Sequence, residues 1–139
     1  MRSNIIIQTD FNSRDGIINA LITIFNDTEA RTLVVNDKSY FDYIFSLFGF
    51  SNDDIKVAWK MGMVSVPPYG QICIRKKQGI KTDYLNKSVI LLFPDNCLIK
   101  LIMERNDVEE VNMIYDQELP LKLLHKEITF DKKVTNDKI

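Results

Sequence analysis

The hydrophobic period of this chain changes near residue 54, and that change constrains the fold more than any other feature. Before it, apolar residues recur at helical spacing. Ile17, Leu21, Ile24 and Phe25 form one stripe at i, i+4, i+7 and i+8, and Ile18 and Ile22 widen it. Ser13 stands where an N-cap belongs and Asp15 in the first turn, so the spacing predicts a helix over 14–26. Tyr40, Phe41, Ile44, Phe45, Leu47 and Phe48 give a second, aromatic helix face. Ser39 with Asp42 resembles a capping box at its start, and Gly49 suits a left-handed stop. This face is expected to pack Phe41, Ile44, Phe45 and Phe48 into the core. Short β-branched runs at 3–9 and 31–35 read as strands.

After residue 54 the period is two. Ile55, Val57, Trp59, Met61 and Met63 alternate with Lys56, Ala58, Lys60 and Gly62, which predicts a strand with one apolar and one mostly basic face. The preceding Ser51-Asn52-Asp53-Asp54 reads as a turn. Pro67-Pro68-Tyr69-Gly70 is a turn signal, and residues 71–77 read as the returning strand. Residues 89–93, the turn Pro94-Asp95-Asn96 and residues 97–104 predict a hairpin. Residues 108–115 and 121–130 fit either a strand or a helix. The order predicts an α+β fold, with two N-terminal helices packed on a mainly antiparallel sheet of about five or six strands. With 139 residues, one domain is expected over 1–130, followed by a frayed, charged tail at 131–139.

The opening MRSNIIIQTDF breaks its apolar run after three residues, too short for a secretory leader, and no stretch approaches the ~20 residues of a membrane span. Cys73 and Cys97 lie in apolar runs and are expected to be free, buried thiols. A cytoplasmic location with no membrane contact follows as the expectation.

Catalytic signals are sparse. The single histidine, His125, has no motif around it and reads as a structural or surface residue. Two cysteines and one histidine at distant positions make no zinc spacing. Phosphate-binding glycine loops and nucleophile elbows are absent from the sequence. The neighbours Asp53-Asp54 and Glu109-Glu110 would point to opposite faces of a strand, so adjacency builds no acid–base pair. No catalytic residue, metal or cofactor is assigned, and the chain is expected not to be an enzyme.

Charge is nearly balanced, with 18 basic and 19 acidic residues, which argues against a non-specific nucleic-acid coat. Its distribution is uneven. Glu104, Asp107, Glu109, Glu110, Asp116 and Glu118 are opposed locally only by Arg105, and Val108, Val111, Met113, Ile114 and Tyr115 interleave them. Such a stretch suits a basic protein partner, because charge steers the encounter and aromatic residues anchor it. The expected partner-binding set is Glu104, Asp107, Glu109, Glu110, Tyr115, Asp116 and Glu118. The alternative is a basic face of Lys56, Lys60, Arg75, Lys76 and Lys77 near Trp59 and Tyr69, which suits single-stranded nucleic acid. It ranks lower here because net charge is negative and Trp59 shares a face with Ile55 and Val57. A third reading is a small enzyme with a thiol or carboxylate centre using Cys73, Cys97 or His125.

In size, charge pattern and missing catalytic motifs, the chain resembles small acidic cytoplasmic proteins that neutralise bacterial toxins. The resemblance is one of general character and transfers no residue. It implies a non-enzymatic binding module, an immunity protein or antitoxin that blocks a basic, nuclease-like toxin domain.

Overall fold

The computed structural model describes residues 5–116 and the backbone of 132–135. In chain order the elements are β1 (Ile5–Gln8), α1 (Arg14–Asp27), β2 (Thr32–Val35), α2 (Lys38–Leu47), α3 (Asn52–Met61), β3 (Met63–Val66), β4 (Gly70–Lys76), β5 (Ser88–Leu92), α4 (Asn96–Met103), β6 (Glu110–Tyr115) and β7 (Lys132–Thr135). The fold is α+β, and its sheet is mixed and mostly parallel. The strand order is β3-β4-β2-β5-β6-β1-β7, and among the described strands only β3 runs antiparallel to its neighbour.

That arrangement corrects the expectation of a mainly antiparallel meander behind two N-terminal helices. The physical reason lies in how both faces are covered. Ile5, Ile7, Leu33, Val35, Ile90, Leu92 and Ile114 pack beneath α1, α2 and α3. Ile6, Val34, Val89, Leu91, Val111 and Met113 pack on the other face, beneath α4 and the connection that carries Ile80 and Leu85. Strands buried on both faces read as unbroken apolar runs, which is the mark of a parallel sheet.

Two predicted strands are helices. Residues 55–61 belong to α3, because Ser51 accepts a hydrogen bond from the Asp54 N–H and Asp53 and Asp54 occupy the first turn. Gly62 ends it at φ 69, a left-handed conformation that favours glycine. Of the alternating apolar residues, Ile55 is buried, but Val57 and Met61 are 56% and 69% exposed. Residues 97–103 belong to α4, capped by Asp95 and burying Leu98, Ile99 and Ile102. The helix turns Cys97 outward, so it is exposed, and Cys73 on β4 is half-buried; both thiols are free, but neither is the core residue expected.

The first half matches its expectation closely. Ser13 caps α1, with Asp15 in its first turn, and Ile17, Leu21, Ile24 and Phe25 are buried. α2 buries Phe41, Ile44 and Phe45, and Phe48 packs partly buried against them. Its cap is Asp37 rather than Ser39: the Asp37 carboxylate accepts from the Ser39 and Tyr40 N–H groups and from the Ser39 hydroxyl. That hydroxyl, above all, holds the Asp37 carboxyl below its ordinary value. Residues 110–115 resolve as a strand, and residues 132–135 of the expected tail pair with β1 as β7. Residues 121–130, with His125, lie outside the described residues.

Candidate functional site

At one border of the sheet, β4 outruns its partner. The antiparallel pairing with β3 begins at Met63 opposite Cys73, and the next contact is the Ile74 N–H donating to the Gly62 carbonyl at 2.9 Å. Beyond it, Arg75 and Lys76 have β2 on one side and, among the described residues, no strand on the other. Successive strand residues point to opposite faces. Lys76 follows the parity of Ile72 and Ile74, toward α3, while Arg75 points toward the connection between β4 and β5.

The end of α3, this open edge and the 79–85 turn enclose a groove of about 340 Å³. Trp59, Lys60 and Met61 line it from α3, Arg75 and Lys76 from β4, and Asp83 and Tyr84 from the turn. Arg75 is braced: its Nη1 donates to the Ile74 carbonyl at 2.9 Å and the Gly62 carbonyl at 3.4 Å, and its Nε to the Tyr84 carbonyl at 3.2 Å. Gly62 sits 3.6 Å from Arg75 Nη1 as measured from where a Cβ would stand. The Lys76 ammonium lies 5.5 Å from the centre of the Trp59 ring, within cation–π range, and Phe41 packs against the same indole at 5.3 Å. Tyr84 is 75% exposed. Among the described residues, Asp83 is the one acidic lining residue against Lys60, Arg75 and Lys76.

Of the predicted basic set, Lys60, Arg75 and Lys76 therefore meet in one groove. Lys56 lies one helical turn before Lys60 on α3, exposed. Lys77 is elsewhere: it pairs with Asp95 at 2.7 Å, which holds its ammonium pKa up. Tyr69 packs against the Phe25 ring, away from the groove. Tyr84 was not singled out in the sequence, and Met61 was read only as part of an apolar strand face; an aromatic following the polar Lys81, Thr82 and Asp83 was the available signal.

The predicted acidic set divides. Glu104, Asp107 and Glu109 lie on the connection from α4 to β6, and Glu110 opens β6. There, Asp107 forms a bidentate pair with Arg105 at 3.0 and 2.6 Å, the main reason the guanidinium pKa is raised. Arg105 Nη1 also donates to the Ile80 and Asp83 carbonyls, both at 2.6 Å, tying this connection to the 79–85 turn. Glu109 lies 3.4 Å from Lys87, and Glu110 accepts the Ser88 hydroxyl at 2.6 Å. Tyr115 and Asp116 stand at the other end of β6, about 17–20 Å from Glu110 at strand rise. Tyr115 is buried, and burial pushes its phenol pKa up. Glu118 lies outside the described residues.

Among the described residues, no cluster of three or more His, Cys, Asp or Glu side chains could hold a metal ion, and no helix is long and apolar enough to cross a membrane. Comparison with protein-family models, with curated proteins and with solved structures returns no match.

Proposed function

We propose that this chain is a non-enzymatic binding module that holds a polyanion, a nucleic acid, in the basic groove. The observation that carries this reading is the convergence of Lys60, Arg75 and Lys76, from two elements, on one concavity walled by Trp59 and Tyr84. Cations along a groove track phosphates, and aromatic rings beside them accept bases. Net charge near zero does not oppose this, because the field that a ligand meets is set by the groove lining and is focused by concavity.

Fluorescence anisotropy with labelled oligonucleotides over a salt series tests it. About three phosphate contacts give a slope of roughly −2 in log K against log salt for a single strand, or about 20-fold weaker binding between 50 and 200 mM salt. Absence of binding at 50 mM salt, or binding that ignores salt, refutes the reading.

The toxin-neutralising reading retains one supporting observation: Glu104, Asp107, Glu109 and Glu110 crowd the connection from α4 to the start of β6. Glu104 and Glu109 are its exposed members that can be reversed without loss of the Asp107 and Glu110 contacts. A basic partner captured by the native chain, but released by Glu104→Lys with Glu109→Lys, supports it; capture that the reversal leaves unchanged refutes it.

A further inference from the structure

The groove contains the chain's single tryptophan, and the arrangement around that ring says more about the ligand than charge alone. One contact of the indole is structural, with Phe41 from the core at 5.3 Å. The other is the Lys76 ammonium, an exposed and flexible group, 5.5 Å from the ring centre inside the groove. A cation over an indole is held only weakly at exposed sites, so a better partner displaces it readily. Phosphate is such a partner for the ammonium, and a base is such a partner for the ring.

The backbone adds a third element. The Cys73 and Lys77 N–H groups donate to the Arg31 and Val35 carbonyls on the β2 side, and the Ile74 N–H donates to Gly62 on the opposite side. Strand alternation then directs the Lys76 N–H to the open edge, where β3 has not begun. Arg75, locked by three carbonyls, presents its guanidinium beside that edge without further ordering.

Resting on the polyanion reading above, we infer that the groove takes an unpaired nucleobase bearing a phosphate: the base stacks on Trp59 as Lys76 leaves the ring, and Lys60, Arg75 and the displaced Lys76 ammonium hold the phosphate. A duplex keeps its bases stacked inside and can offer this groove only its backbone, so the site selects single strands. The volume of about 340 Å³ is at the small end of ligand sites and suits one nucleotide unit rather than a helix.

The experiment uses the native fluorescence of Trp59, which no other indole obscures. The full chain is titrated at 50 mM salt with oligothymidylate, a mixed-sequence duplex of equal length, thymidine monophosphate, inorganic phosphate and polyglutamate. Oligothymidylate should quench Trp59 and bind about 10-fold or more tighter than the duplex. Thymidine monophosphate should quench with weaker affinity, and phosphate should not quench. If the monophosphate matches the oligonucleotide, a free nucleotide rather than a strand is the ligand, and single-strand selection is refuted. Lys76→Met should retain the quench, because the ring is then uncapped, while the salt slope falls by about 0.7. Tyr84→Ala, at an exposed position that does not endanger folding, should weaken the oligonucleotide several-fold and leave phosphate unaffected. Equal affinity for duplex and single strand with no change at Trp59 overturns the stacking inference and leaves the polyanion reading intact. Polyglutamate binding as tightly as oligothymidylate assigns the open edge to an acidic peptide and overturns it too. No binding to any polyanion refutes both.

Discussion

Asn112 offers the sharpest test of how the sheet is held together. It is fully buried on β6, a polar side chain among Val111, Met113 and Ile114. Its Oδ1 accepts the Ile5 N–H at 3.0 Å, and its Nδ2 donates to the Val89 carbonyl at 3.1 Å and the Ser88 hydroxyl at 3.3 Å. One amide thus ties β1 and β5 to β6 where their ladders end. Asn112→Ala orphans a buried N–H and a buried carbonyl, at about 1–3 kcal/mol each. The expected loss is about 2–6 kcal/mol, a large share of the roughly 5–15 kcal/mol that holds a domain folded. Asn112→Asp separates polarity from shape. A carboxyl in that site is near-isosteric; protonated, it still accepts from Ile5 and donates toward Val89. Ionised, it faces the Val89 carbonyl with no donor and is desolvated, so its folded pKa rises above the unfolded value of about 3.9. Below that value both states are protonated and no pH-linked penalty exists. Above it the unfolded chain ionises first, so the penalty grows with pH until the folded pKa is passed. Urea denaturation of variant and native chain, compared at pH 4 and pH 7, measures it. A difference in stability that does not change with pH, or an Asn112→Ala loss under about 1 kcal/mol, would refute the reasoning.

Phe45, buried and packed against the Phe41 ring at 4.5 Å and the Phe50 ring at 5.6 Å, should cost about 3–5 kcal/mol when replaced by Ala, as read by urea denaturation; under 1 kcal/mol would make α2 peripheral. A thiol reagent should label exposed Cys97 in the native chain well before half-buried Cys73, as mass spectrometry of digests would show; labelling of both only on unfolding would contradict their placement. Gly16→Ala should destabilise despite a gain of up to about 1 kcal/mol in helix propensity, because its Cβ would clash with Thr9 Oγ1. That hydroxyl is buried without a hydrogen-bond partner among the described residues, so Thr9→Ala in the same chain should recover much of the loss in a thermal melt.

Legibility in the sequence followed how many signals agreed locally. Around α1, the Ser13 cap, the Asp15 charge and the helical stripe all point one way, and the helix forms as read. In residues 51–61 the signals conflict. The two-residue alternation of Ile55, Val57 and Trp59 suggests a strand, whereas Ser51, Asp53, Asp54 and Gly62 are helix punctuation. The punctuation wins, because a short helix can leave Val57 and Met61 in solvent while burying Ile55 and Ala58. In residues 97–103 nearly every position is apolar, so periodicity cannot choose; Asp95, accepting the Leu98 N–H at 2.8 Å, decides for helix. Parallel pairing was hidden for a different reason. Adjacent strands β2 and β4, or β1 and β6, are far apart in sequence, and no local pattern encodes which will meet. The groove inherits both difficulties: Lys60 reaches Arg75 and Lys76 only because 52–61 is a helix that ends where β3 turns back.

The same topology explains why the groove, rather than the usual crevice, is the open site. Open parallel sheets take ligands at the carboxyl ends of adjacent strands whose connections leave on opposite faces. Here β2 and β5 form one such pair, since α2 packs on one face and α4 on the other. The crevice between them is filled by the protein's own side chains. Asn36 Nδ2 donates to the Phe93 carbonyl at 2.8 Å, its Oδ1 accepts the Asp95 N–H at 3.2 Å, and Lys77 spans to Asp95. Phe93 is held at φ 45, a left-handed conformation costly for a bulky residue, and packs edge-on to Phe11 at 4.9 Å. Burial alone would raise the Asp95 carboxyl, but the Lys77 hydrogen bond and the Leu98 and Cys97 N–H groups outweigh it and hold the pKa down. A lowered carboxyl stabilises the fold above its unfolded value and loses that contribution as pH falls through the folded value. The raised Lys77 ammonium contributes below its unfolded value and fails as pH rises through the folded one. The stability difference between the native chain and Lys77→Met should therefore be greatest between those limits and shrink toward both acid and alkaline extremes. Asn36→Ala should cost about 1–3 kcal/mol for its two lost bonds and accelerate hydrogen exchange at the Asp95 amide. If Asp95 exchange is unchanged in Asn36→Ala, the crevice is not closed by this clasp, and the carboxyl ends of β2 and β5 return as a rival ligand site.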